Sequence, residues 1–98
     1  MIGGFNERPL NEAADGIKLV EVTHKDAISA KAGNNASSWK VEKVASQVVA
    51  GTNWWFHAAD NNGDKWSIGI FEPLPHTGNA ADIYAVEKGH VDARNPNA

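Results

Sequence analysis

The sequence predicts an α+β domain in which a helix packs against an antiparallel sheet, and three observations predict it. An amphipathic stretch with apolar residues at steps of three and four fills the first third of the chain. From Trp39 onward, runs rich in Trp, Val, Ile and Phe alternate with polar residues. Turn-forming residues separate those runs at regular intervals. Strands that follow one another with short turns pair antiparallel, and a single helix is what such a sheet has to cover its apolar face.

Each element has its own signal. Residues 1–10, with Gly3, Gly4 and Pro9, read as an extended arm. Asn11 is a candidate helix cap, with Glu12 and Asp15 in the first turn. Ala13, Ile17, Val20, His24 and Ala27/Ile28 then mark one face of a helix over residues 11–32, which Gly33 stops. Gly16 lies inside it, where glycine costs about 1 kcal/mol relative to alanine. Strands are expected at 39–48, 52–58, 65–72 and 82–87, within a sheet region of 39–88. The alternation of the first slips at Glu42 and Lys43, which predicts a bulge. Residues 60–64 form a polar hairpin turn. Of the adjacent tryptophans, Trp54 and Trp55 face opposite sides, one in the core and the other partly exposed. Residues 89–98 are a tail, expected to fray from Arg94.

Composition narrows the function. The 98 residues hold no internal repeat and read as one domain, 1–98. A net charge of −3, with nine scattered Lys and Arg, gives no basic face for nucleic acid or an anionic membrane. No cysteine is present, which excludes disulfides, a thiol nucleophile and a Cys-based zinc site. The start lacks the pattern of a secretion signal and no segment is long enough to span a bilayer, so a cytoplasmic protein is expected. His24, His57, His76 and His90 show no ligand spacing and read as unconnected, so no metal or other cofactor is expected. Neither a nucleophile elbow, a phosphate loop nor HExxH occurs, and the chain is not expected to be an enzyme.

Two segments do not fit their places. The chain must reverse near Gly51, yet Val48, Val49 and Ala50 stand where Asn, Asp and Gly are usual. Leu74, in the Pro-rich turn before the last strand, has no pattern to join. In a meander both turns fall at one end of the sheet. Apolar side chains there either pack back into the core or meet a partner.

Those residues carry a resemblance. Gln47-Val48-Val49-Ala50-Gly51 resembles the QVVAG motif of the cystatins, and Thr52-Asn53 with Trp54-Trp55 looks like the continuation found in stefins, the type 1 cystatins. Met1-Ile2-Gly3-Gly4 resembles the stefin amino terminus, and Leu74-Pro75-His76 the stefin second loop. The resemblance covers about residues 1–90, with all elements in order. It implies a five-stranded antiparallel sheet, arm included, wrapped around one long helix. It also implies reversible, noncovalent, tight-binding inhibition of papain-like cysteine proteases. The implied wedge for the protease cleft is Ile2, Gly3 and Gly4, then Gln47, Val48, Val49, Ala50 and Gly51, then Leu74, Pro75 and His76. Phe5 departs from the stefins, which carry smaller or aliphatic residues there, and the acidic, aromatic-ended stefin tail is missing after His90. The expected alternative is the same scaffold binding another protein. The apolar hinge at 47–51 also allows a domain-swapped dimer, inactive because the first loop would straighten; the active species is then a monomer.

Overall fold

The structure is a computed structural model and describes residues 4–34, 36–49, 51–74 and 78–94. Its α+β architecture follows the order expected. Five strands, β1 (Asn6–Arg8), β2 (Trp39–Val49), β3 (Gly51–Asp60), β4 (Lys65–Pro73) and β5 (Asp82–Lys88), form one antiparallel sheet in sequence order, β1-β2-β3-β4-β5. The helical stretch lies between β1 and β2. The expected bulge is present: register shifts between Val41 and Lys43. It keeps Trp39, Val41 and Val44 all in the helix-side core, although 41 and 44 differ by an odd number of residues. At the bulge the Val41 N–H donates to Glu21 Oε2 at 2.9 Å.

One face of the sheet builds that core. Val44, Trp54, Phe56, Ala58, Trp66, Ile68 and Ile70 pack with Ala13, Leu19, Val20 and Ile28. Phe56, Ile68 and Ile28 are fully buried, each stabilising the fold by about 1.5–3 kcal/mol relative to exposure. Trp54 stacks on Phe56 with ring centroids 6.0 Å apart.

The helical stretch is not continuous, and this corrects the span expected over 11–32. A 3-10 turn at Leu10–Glu12 precedes α1 (Ala14–Lys18), a π-helical turn at Leu19–Thr23 and α2 (Lys25–Ala32). Pro9 starts the 3-10 turn by accepting from Glu12 N at 3.0 Å, so Asn11 lies within that turn and caps nothing. In the π turn His24 N reaches back five residues to Leu19 O. Its extra residue rotates the following face by about 100°. Ile28 and Ser29 therefore point inward, while Ala27 is exposed, contrary to the simple stripe. Gly33 ends α2 in the left-handed conformation as expected, φ 72°.

The outer face is covered as well, and Trp54 and Trp55 are both buried, Trp55 at 3 %, whereas one of the pair was expected to be partly exposed. The cover is the tail. Trp55 Nε1 donates to Val91 O at 3.0 Å, His57 Nε2 lies 2.8 Å from the same oxygen, and Val91 N donates to Ser67 Oγ at 2.8 Å. Tyr84 Oη donates to Arg94 O at 2.9 Å, and Arg94 pairs with Glu87 and lies over the Trp55 ring. Burial pushes the Tyr84 phenol up to about 12, against the opposing effect of Arg94, so it remains a donor across the ordinary pH range. The tail is thus tied down as far as Arg94, where fraying was expected to begin; residues 95–98 lie outside the described set.

Asp60 locks the turn between β3 and β4. Its Oδ1 accepts from Asn62 N and Asp64 N, and its Oδ2 from Trp66 Nε1 at 3.0 Å and Asn34 Nδ2 at 2.8 Å. Burial alone would raise this carboxyl, but the hydrogen bonds outweigh it and hold it below the usual aspartate range. A depressed folded value means the unfolded chain takes up protons first as pH falls. The contribution is full above the ordinary aspartate pKa of about 4 and is lost as pH drops through the lowered value. Urea midpoints measured from about pH 6 down to about pH 2 should fall on acidification, and Asp60→Asn should flatten that fall. An equally steep curve for the variant would show that Asp60 is not the group responsible.

Candidate functional site

The end of the sheet opposite Asp60 gathers the described residues of the expected wedge. Pairing fixes their order. Asn6 lies opposite Ser46, so Gly4 falls beside Gln47 and Val48; Val49 lies opposite Gly51; Gly51 lies opposite Pro73, and Leu74 follows. Gly4, the β2–β3 reversal and the start of the β4–β5 connection therefore form a row across four adjacent strands. Three inter-strand steps of about 4.8 Å make that row roughly 15 Å long.

Two glycines set its geometry. Gly4 has φ 82°, and a Cβ there would lie 2.8 Å from Gln47 Nε2, so the arm's backbone rests on the Gln47 side chain. Gln47 Oε1 in turn accepts from Nδ2 of the buried Asn53 at 3.0 Å. Gln47 is thus a support for the arm as much as a surface residue, a role the motif alone does not reveal. Gly51 has φ 128°, and a Cβ there would meet Glu72 O at 2.5 Å and the Phe71 ring at 3.0 Å. Only glycine lets β3 come this close to β4 at the tip. That approach sets the start of β3 beside the end of β4.

The row is apolar and exposed where it matters. Val48 is 78 % exposed and Leu74 39 %. Of the two options open from sequence, the first is excluded for Val48: it does not pack back into the core. Behind Leu74 lies an open groove of about 500 Å³, with Leu19, Thr23 and His24 on its helical side and Thr52 and Glu72 on its sheet side. The helical residues were not expected here, and the only sequence signal was that His24 interrupts an otherwise apolar stripe. Glu72, whose Oε1 lies 3.4 Å from Trp54 Nε1, brings a charge to the flank of this edge.

Ile2, Gly3, Ala50, Pro75 and His76 lie outside the described residues. Two other histidines do meet, contrary to expectation: His57 and His90 stack with centroids 4.4 Å apart, on the outer face and away from the row. Among the described residues no helix is long and apolar enough to cross a membrane. A scan against protein-family models finds no match to this chain, and a search of curated proteins finds none either.

Proposed function

We propose that this chain is a reversible, noncovalent inhibitor of papain-like cysteine proteases, with the row from Gly4 to Leu74 as the edge that enters the cleft. One observation carries the proposal: the described residues of three separate segments, Gly4 of the arm, Val48 and Gly51 at the β2–β3 reversal and Leu74 after β4, fall side by side, with Val48 exposed. An inhibitor of this kind must fill a groove without offering a scissile bond to the catalytic thiolate. Hairpin tips do so with little conformational freedom left to lose, and β-branched valines lose little more. Glycine at position 4 lets the arm's backbone approach a protein wall closely. A contact of about 800 Å² per partner is ordinary for such a complex. In the same proposal the fold is cystatin-like, with the interrupted helical stretch in place of one long helix. The active species is the monomer, because straightening β2 and β3 into a swapped strand would abolish the turn at Gly51. The chain works as a binding protein rather than an enzyme, and its place is the cytoplasm.

Titration of papain with the monomer fraction from a sizing column, read with a small fluorogenic substrate, tests this directly. Loss of activity near one equivalent is expected. A folded monomer that leaves papain fully active at micromolar excess would overturn the proposal and point to a different protein partner for the same edge.

A further inference from the structure

The described part of the arm is lightly held by its strand. β1 is three residues long, and Asn6, Glu7 and Arg8 are all exposed. Among the described residues, the ties from β1 side chains to the sheet include an exposed Lys43–Glu7 pair at 3.6 Å and a bond of 3.3 Å from Arg8 Nη1 to Ser46 Oγ, contacts of a kind that add little in water. Within residues 4–8 only Phe5 is buried, at 5 % exposure. It does not join the helix-side core. It packs with Trp55 and Ala85 on the outer face of the sheet, in a cluster completed by Ala45, Tyr84 and Ala93. Ala93 belongs to the tail, and the tail is fixed to that face by the bonds from Trp55, Tyr84 and Ser67 already described.

We infer that Phe5 is a positioning residue for the amino-terminal arm, and that residues 89–94 act as a strap that keeps Phe5 seated, so that the carboxyl end of the chain sets how well the arm is held. The inference rests on the inhibitor proposal only for its consequence in binding. Phe5 directly follows Gly4, whose backbone lies on Gln47 at the edge of the row. A seated Phe5 limits the arm to the conformations that its neighbour Gly4 can reach from a fixed point. An unseated one leaves a glycine-rich segment free, and the freedom is then lost on binding. An open groove of about 410 Å³ beside Phe5, between Lys43, His57 and Asp92, leaves space for a larger ring at this position.

Amide hydrogen exchange in the free protein tests the anchor without any protease. Phe5→Ala should speed exchange of the β1 amides roughly tenfold or more while leaving the Phe56 and Ile68 amides unchanged, and Phe5→Trp should restore β1 protection. A chain ended at His90 should reproduce the Phe5→Ala result. Should that chain fail to fold, Tyr84→Phe, which removes the single bond to Arg94 O, should give a smaller change in the same direction. The binding test is a cycle: Phe5→Ala should raise the papain dissociation rate roughly tenfold, strap removal should add little to it, and strap removal should have no effect in a protein lacking residues 1–5. Unchanged β1 exchange in Phe5→Ala overturns the anchor, and β1 exchange insensitive to strap removal or Tyr84→Phe overturns the strap. Papain left active by the unaltered protein would remove the inhibitor proposal while the exchange result still decides the anchor.

Discussion

Val48→Asp should weaken inhibition of papain by about a hundredfold, the size expected when a central apolar contact is replaced by a charge. Val48 is 78 % exposed in the free chain, so the change removes almost no packing from the fold. The free protein keeps the new carboxylate in water. The complex would have to strip that water away, and nothing apolar in a protease subsite repays the loss. Exposed substitutions of this kind stay within about 0.5 kcal/mol in stability, so the melting midpoint should move by no more than about 4 °C. Parallel thermal melts and papain titrations check both halves. Full-strength inhibition by the variant would take Val48 off the contact edge.

Gly51→Ala should behave in the opposite manner and damage both properties. A Cβ there meets the Glu72 carbonyl at 2.5 Å, and backbone cannot turn aside as a side-chain tip can. The φ of 128° is a second obstacle for any residue with a side chain. Strain and overlap together should cost roughly 3–5 kcal/mol, visible as a large drop in urea midpoint. Relief requires β3 and β4 to part at the tip, so the first loop and Leu74 would separate and inhibition would fall too. An unchanged midpoint would mean that the close approach of β3 to β4 contributes nothing to stability. The two variants together separate contact from scaffold at neighbouring positions.

The strands were legible because they are written in local pattern. Alternation places Trp54 and Phe56 on one face, the slip at Glu42 and Lys43 marks the bulge, and Asp60 with Gly63 marks the turn. Meander topology then puts the turns after β2 and β4 at one end, which is how Gln47, Val48, Gly51 and Leu74 could be grouped from sequence alone. Contacts between distant residues were not legible. Helix propensity says alanine improves on Gly16, yet a Cβ at Gly16 would lie 2.6 Å from the Trp54 ring, 38 positions later. The burial of both tryptophans was not legible, because nothing in β3 reveals that residues 89–94 fold back over Trp55. The π turn was hidden for a related reason: the apolar stripe survives one inserted residue, only rotated. Phe5 read as a departure within the arm, and its burial depends on Trp55 and Ala93 at the other end of the chain.

The bulge at Val41 also bears on how copies of this protein avoid one another. Because β1 covers only residues 44–46 of β2, the stretch 39–43 is left as an open sheet margin, the kind of surface that templates fibres. Three features blunt it. The irregularity bends the strand, charged Lys40, Glu42 and Lys43 stand along it, and the Glu21 carboxylate already occupies the Val41 N–H. An incoming strand would have to displace that carboxylate and straighten the kink before it gained a continuous ladder. Glu21, which has no place in the contact row, thereby adds to the cost of pairing at this margin.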